Sequence, residues 1–310
     1  MHSSIVDTDT IPIDVVAVVG AGTMGRGIAQ VVARAGRAVA LHDADPDALK
    51  AARDAIEATL AKGVELGKVT PREKTGTLER IRIETDLGEA VMDADLVIEA
   101  IPESLAAKKE LFAELDAHCP TPTILASNTS SLSISALAEA TARPERVLGL
   151  HFFNPVHLMR LVEIVVHPQT DDGVRDSLRE LVRGLGKTPI VATDTPGFAT
   201  SRLGLVLGLE AIRMVEEGVA SAADIDTALE LGYNHPMGPL QLTDLVGLDV
   251  RLSIADHLAD TLDRHRFAAP DLLRRMVERG LLGRKSGEGF YRWRDGEAIA
   301  KDVPLSEEET

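Results

Sequence analysis

A doubly wound α/β sheet followed by an all-α C-terminal domain is the architecture this sequence predicts, and three observations carry it. Apolar, β-branched runs alternate with helical patterns through the first 193 residues, as expected of a parallel sheet covered on both faces. The first of those runs opens directly into a glycine-rich turn and a helix. After Pro196-Gly197 the β-rich runs stop, and apolar residues recur only at helical spacing. A chain of 310 residues sets a prior of about two domains. The boundaries expected are 14–193 for the sheet domain and 194–295 for the helical one, with tails at 1–13 and 296–310.

Val15-Val16-Ala17-Val18-Val19 reads as a strand buried on both faces. It runs into Gly20-Ala21-Gly22-Thr23-Met24-Gly25, then a helical pattern at Ile28, Val31, Val32 and Ala35, stopped by Gly36. A second strand over residues 38–42 ends at Asp43. Strand, glycines, helix, strand and acid in this order form a Rossmann-like dinucleotide fingerprint. Gly20 permits the tight turn, Gly22 admits a pyrophosphate against backbone, and Gly25 lets helix and sheet pack closely. Thr23 and Met24 sit in the same turn, where a helix N-terminus offers N–H groups and a positive dipole end to phosphate. Asp43 is suited to accept from both ribose hydroxyls and to repel a 2′-phosphate, so NAD is expected over NADP.

Asp45 and Pro46 start the next helix as N-cap and first helical residue, and Leu49, Ala52, Ile56 and Leu60 carry it to about Leu66. Thr70 and Glu73 stand at capping-box spacing for another. Lys50, Arg53, Lys62, Lys68, Arg72 and Lys74 make this the most basic region of the first half, either a solvated helix face or a contact for a phosphorylated substrate. Strands follow at 81–85, 96–100, 124–127 and 147–151, with helical stretches near 105–115 and 134–140 between them. Ala100-Ile101-Pro102-Glu103 and Ser127-Asn128-Thr129-Ser130-Ser131 therefore lie just past strand carboxyl ends, the ligand-binding edge of open α/β sheets. The second of these reads equally well as a loop and helix cap. Residues 161–166 and 188–192 are two more strands, joined by a helix over about 172–185.

In the last part, Leu203, Val206, Leu207, Ala211 and Val215 mark one face of a long helix, and Ser221 caps the next. Leu242, Leu245, Leu248, Leu252, Ile254 and Leu258 mark further helix; Leu272, Leu273, Met276 and Val277 mark another, closed by Gly280. Such helices should pack on one another, and two such domains pairing through an apolar face would make a homodimer. Beyond Trp293 the tail with Glu307-Glu308-Glu309 is expected to be disordered.

Lysine plus arginine total 33 against 49 aspartate plus glutamate, a net charge of −16. Nucleic acid and anionic membrane both call for basic patches and are not expected as partners. No apolar run reaches the roughly 18 residues of a membrane span, and the acidic opening has the wrong charge for a signal peptide. A single cysteine, Cys119, fits a reducing, cytoplasmic setting. The nine histidines form no H-x-x-x-H pair, and no G-x-S-x-G elbow exists, so neither a metal nor a serine-hydrolase mechanism is expected.

Several motifs together resemble the 3-hydroxyacyl-CoA dehydrogenase family, including its bacterial 3-hydroxybutyryl-CoA members, from Val15 to Trp293. They are the glycine turn, Ser127–Ser131, His151-Phe152-Phe153-Asn154-Pro155, Leu161-Val162-Glu163, Pro196-Gly197-Phe198, His235-Pro236-Met237-Gly238-Pro239 and Gly287-Glu288-Gly289-Phe290-Tyr291. The resemblance implies NAD-linked interconversion of an L-3-hydroxyacyl-CoA and its 3-ketoacyl-CoA. It implies His151 as general base, Glu163 as its orienting carboxylate, and Ser130 as hydrogen-bond partner of the reacting oxygen and part of the cofactor site. It also implies cofactor contacts at Glu103, Lys108, Asn154 and Lys285, and CoA contacts at Thr59 and at Lys62 or Lys68.

The chemistry agrees with the resemblance, because an alcohol needs a base before hydride can leave, and a histidine paired with a carboxylate is a suitable one. One departure bears on the site: the family usually has asparagine ahead of the arginine that follows Pro196-Gly197-Phe198, and here Ser201 stands there. Losing one donor at a developing charge costs on the order of 10²–10³ in rate unless Thr200, Ser201 or a bridging water compensates. His157 and Arg160 also replace the commoner proline and lysine. The competing expectations are a dehydrogenase of free hydroxy acids or sugar acids, as in the lambda-crystallin-like branch, and a non-catalytic NAD-binding protein.

Overall fold

A computed structural model describes residues 10–301. Of the expected tails, residues 1–9 and 302–310 lie outside the described residues. The chain divides into two compact units, Met1–Thr195 and Pro196–Thr310.

In chain order the first unit runs β1 (Val15–Val19), α1 (Thr23–Arg34), β2 (Ala38–His42), α2 (Pro46–Glu65), α3 (Pro71–Glu79), β3 (Ile81–Glu84), α4 (Leu87–Val91) and β4 (Leu96–Glu99). It continues α5 (Leu105–His118), β5 (Ile124–Ser127), α6 (Ile134–Ala138), β6 (Val147–Phe152), β7 (Leu161–Val166), α7 (Asp172–Gly184) and β8 (Thr188–Thr193). The strands form one eight-stranded sheet in the order β3-β2-β1-β4-β5-β6-β7-β8. Chain order reverses at β1, which pairs with β2 on one side and β4 on the other. That reversal opens a crevice at the carboxyl edge, where doubly wound sheets bind ligands. All pairings are parallel except β6 with β7. The reason is the connection: residues 153–160 are too few for a crossover helix, whereas α7 lies between the parallel β7 and β8.

Caps agree with the sequence reading at several helices. Asp45 accepts from Asp47 N at the start of α2, and Thr70 and Glu73 close a capping box on α3. Val16, Val18, Ile28, Val32, Leu41, Leu96, Ile98, Leu148, Ile164, Leu178 and Val182 form the core between the sheet and the helices on one of its faces.

The second unit holds α8 (Thr200–Glu216), α9 (Ala222–Tyr233), α10 (Pro239–Val246), α11 (Leu248–Thr261), α12 (Arg264–Phe267) and α13 (Asp271–Glu278), and a small hairpin of β9 (Arg292–Arg294) and β10 (Glu297–Ile299). The helical pattern from Leu242 to Leu258 resolves into two helices parted at Gly247, whose φ of 103° ends α10. The hairpin occupies part of the stretch expected to be tail. Asp295 and Gly296 both take positive φ at its turn, as an Asp-Gly hairpin turn requires.

The face expected to be buried on α8 is only partly so. Leu205, Leu209, Ala211, Ile212 and Val215 enter the core, while Leu203, Val206 and Leu207 are exposed. This helix is apolar on two faces, and spacing alone does not say which one its own unit covers.

Two buried aspartates tie the helical unit together. Asp226 accepts from Leu240 N, Gln241 N and Tyr291 Oη, capping the start of α10. Asp244 accepts from Phe290 N, Tyr291 N and Trp293 Nε1. Burial pushes both carboxyl groups above the usual carboxylate range. The Gly287–Tyr291 motif gains its meaning here, since a Cβ at Gly289 would fall 2.2 Å from Asp244 Oδ1.

Candidate active site

The glycine turn sits at the crevice beside β1. Gly20 takes φ +104°, and a Cβ there would meet Ala100 O at 2.7 Å; a Cβ on Gly25 would fall 1.7 Å from Gly20 O. Both positions therefore exclude any side chain. At Gly22, the N-cap of α1, a Cβ would meet nothing within 4 Å, so the space over the first turn lies open to a ligand. Asp43, just past β2, accepts from Ala21 N at 2.8 Å and Asp45 N at 3.0 Å. The acid thus holds the glycine turn, a contact additional to the ribose role expected of it. Open space over a helix N-terminus and an acid beyond the second strand fit the pyrophosphate and ribose of a dinucleotide.

Further along the same edge, antiparallel pairing sets His151 of β6 opposite Glu163 of β7. Side chains opposite one another on adjacent strands share a face. His151 Nδ1 lies 2.7 Å from Glu163 Oε2. The carboxylate is fully buried and the imidazole nearly so. A carboxylate accepts here, so the shared proton is the one on Nδ1, and Glu163 fixes the orientation of the ring. Phe153 tilts against the imidazole, with ring centroids 4.3 Å apart. Sequence spacing alone did not establish this contact; the short, helix-free link between the two strands was the signal for it.

His151 lines a cleft of about 350 Å³ together with Met24, Glu103, Lys108, Asn128, Ser130 and Asn154. The structure thus gathers around one space residues expected from separate motifs. Glu103 Oε1 accepts from Thr129 Oγ1 at 2.6 Å and from Ser130 N and Oγ at 3.1 and 3.4 Å. Lys108 reaches the cleft from a buried position, its ammonium 2.5 Å from Glu99 and 3.3 Å from Glu103. The loop past Asn154 begins with a cis Asn154–Pro155 bond.

Sequence reasoning missed Glu99, Ser127 and Asn128 as individual residues. Asn128 Oδ1 accepts from Phe152 N at 2.9 Å, joining the carboxyl ends of β5 and β6. A lone acid closing the apolar strand Leu96-Val97-Ile98-Glu99 was the signal for Glu99.

Three further candidates lie on or just past α2. Thr59 Oγ1 donates to Ala55 O within α2, Lys62 pairs with Glu65 at 2.9 Å, and Lys68 is exposed beyond the end of α2. None of the three lines the cleft around His151. Ser201 and Lys285 belong to the second unit. Ser201 lies in the first turn of α8, and Lys285 Nζ pairs with Asp249 at 2.5 Å.

Other histidines are engaged structurally: His42 with Glu84 O, His118 with Glu114 O and His167 with Pro144 O. Burial, and then the charge of Lys187, hold the His157 imidazole below its ordinary pKa.

Comparison with known proteins converges with this geometry. Residues 15–195 match the family model of the 3-hydroxyacyl-CoA dehydrogenase NAD binding domain, and residues 197–293 match that of the same family's C-terminal domain. A probable 3-hydroxybutyryl-CoA dehydrogenase of Bacillus subtilis is 46% identical over 276 residues, 89% of this chain and 96% of that protein. The human mitochondrial hydroxyacyl-coenzyme A dehydrogenase is 44% identical over 287 residues, 90% of this chain and 91% of that protein. A crystal structure of (S)-3-hydroxybutyryl-CoA dehydrogenase from Ralstonia eutropha is similar at a TM-score of 0.88 with 38% identity, covering 92% of this chain and 100% of the other.

Proposed function

Since the chain belongs to the 3-hydroxyacyl-CoA dehydrogenase family and is an NAD-dependent enzyme of it, we propose that it interconverts short-chain L-3-hydroxyacyl-CoA and 3-ketoacyl-CoA with His151 as the base. The observation that carries this reading is the 2.7 Å contact between His151 Nδ1 and the buried Glu163, beside a cleft that also holds Ser130 and Asn154. The short chain is favoured by the 3-hydroxybutyryl-CoA named for the Bacillus and Ralstonia relatives.

Bound NAD supplies the hydride acceptor for C3 of the substrate. Gly20, Gly22, Thr23, Met24, Gly25 and Asp43 would hold its pyrophosphate and adenine ribose, with Glu103, Lys108 and Asn154 toward its other end. His151 Nε2 takes the hydroxyl proton, and Glu163 keeps the imidazole in that tautomer and stabilises the imidazolium that results. Ser130 hydrogen-bonds the reacting oxygen. In the reverse direction the same imidazolium returns the proton to the forming alkoxide. Lys62 and Lys68, on and after α2, bring positive charge, and Thr59 a hydroxyl, for the phosphates of CoA.

The testing experiment is NADH consumption with acetoacetyl-CoA, longer 3-ketoacyl-CoAs and free acetoacetate. Acetoacetyl-CoA is expected to be reduced with the highest kcat/KM and the free acid to be left untouched. Comparable turnover of free acetoacetate would replace this reading with that of a hydroxy-acid dehydrogenase.

We assign the protein to the cytoplasm as a homodimer formed through its helical unit. No helix among the described residues is long and apolar enough to cross a membrane. Cys119 is buried, with its thiol pushed up to about 11 by desolvation, which suits a protein that keeps its thiol reduced. Support for the dimer comes from α8, where Leu203, Val206 and Leu207 stand exposed at helical spacing on one face, Leu203 at 67%. Glutamate at both Leu203 and Leu207 is expected to halve the mass seen by sedimentation at micromolar protein while leaving the fold intact. An unchanged mass would remove this face from the interface.

A further inference from the structure

Glu99 closes β4 as a fully buried carboxylate, where the rest of the strand is apolar. Replacing a buried ion pair with apolar residues is often neutral or stabilising, so a pair kept in such a place calls for another reason. The hydrogen bonds supply one. Glu99 Oε1 accepts from Lys108 Nζ at 2.5 Å and from Ile101 N at 2.7 Å, while Oε2 accepts from Ser127 Oγ at 2.5 Å. Each side-chain contact continues to the same loop. Lys108, 1% exposed, reaches Glu103 Oε2 at 3.3 Å, and Glu103 Oε1 holds Thr129 Oγ1 and the backbone N–H and hydroxyl of Ser130. Ser127 Oγ in turn accepts from Thr129 N at 3.2 Å. Both arms start at Glu99 and end at Thr129–Ser130.

We propose that Glu99 and Lys108 are positioning residues that set the Ser130 hydroxyl for its hydrogen bond to the reacting oxygen. In this role Lys108 is a strut: Glu99, Glu103 and the Ile101 carbonyl, 3.2 Å away, take up its ammonium protons, and its part in the cofactor site is exerted through Glu103. The proposal rests on the reading of Ser130 given above. Both carboxylates and the ammonium lie in one network, so removing charge at Glu99 loosens Lys108 and Ser127 together. The cost then falls on the geometry of Ser130 rather than on substrate affinity.

The test is a double-mutant cycle in the full chain, assayed by acetoacetyl-CoA reduction. Glu99→Gln keeps the shape and is expected to lower kcat by about ten- to a hundredfold, as a misplaced reacting group does, with the KM for acetoacetyl-CoA unchanged. In a Ser130→Ala background the same substitution is expected to cost nothing further, because residues acting as a unit are non-additive. Losses that multiply, a rise confined to KM, or an undiminished kcat in Glu99→Gln would each overturn the proposal. Full turnover in Ser130→Ala alone would instead refute the reading of Ser130 and the proposal with it. Should Glu99→Gln not fold, Ser127→Ala, which cuts the shorter arm, enters the cycle in its place with the same expectations.

Discussion

His151→Ala is expected to lower turnover by about 10²–10⁴-fold, the range in which a positioned base contributes, with NADH affinity kept. The asymmetry follows from the layout. Gly20, Gly22 and Asp43 lie just past β1 and β2, several strands away from β6, so these groups assigned to the pyrophosphate and ribose are untouched by the substitution. What is lost is the lone pair at Nε2, together with the imidazole that Glu163 orients. Glu163→Gln is the informative companion. An amide can donate to Nδ1, which would move the ring proton to Nε2 and cancel the base while leaving its position intact. Its turnover is expected to fall with little change in the KM for acetoacetyl-CoA. Stopped-flow measurement of NADH oxidation, with NADH binding followed by fluorescence, separates these terms. A His151→Ala enzyme within tenfold of the unaltered one would put the base elsewhere.

Much of this site was legible in the sequence, and the residues show why. The turn from Gly20 to Gly25 is local: strand, turn, helix and second strand follow without interruption, so the geometry of each depends on neighbours in the chain. His151 and Glu163 are different. Their contact depends on the direction in which β7 runs against β6, which no run of β-branched residues reveals. Only the missing helix between these strands, compared with α7 between β7 and β8, contained that information.

The network around Glu99 was out of reach for another reason. Its members come from β4, the loop after it, α5, the end of β5 and the loop after that, and a single acid at a strand end looks the same whether it meets water or a buried lysine. The outward face of α8 shows the limit of periodicity. Leu203 and Leu207 repeat at the same spacing as Leu205 and Leu209, and which set enters the core is decided by α10, α11 and α13 packing against one side. The hairpin at β9 and β10 carries a turn signal in Asp295-Gly296, but flanking strands of only three residues each leave no alternating run to set it apart from a tail.

The largest effect on stability is expected from Asp244→Ala. The carboxylate is 1% exposed and accepts from Phe290 N, Tyr291 N and Trp293 Nε1, each at 2.9 Å. It thereby fastens the segment after α13 onto α10, and no regular sheet or helix at Phe290 or Tyr291 offers their N–H groups another partner. Each buried donor left unsatisfied costs about 1–3 kcal/mol. With water entering part of the space, a net loss of about 3–5 kcal/mol is expected, in the range found on breaking a buried charged contact. For a domain of this size that lowers the melting temperature of the helical unit by on the order of ten degrees or more. Asp256→Ala provides the contrast. It removes an ion pair to Arg274 whose side chains are 46% and 44% exposed, and surface pairs of that kind are worth about 0–1 kcal/mol. Calorimetry on the three proteins is expected to place Asp256→Ala beside the unaltered chain and Asp244→Ala well below both. Equal melting of the two variants would mean that the C-terminal segment is held by the packing of Phe290 and Tyr291 and not by the carboxylate.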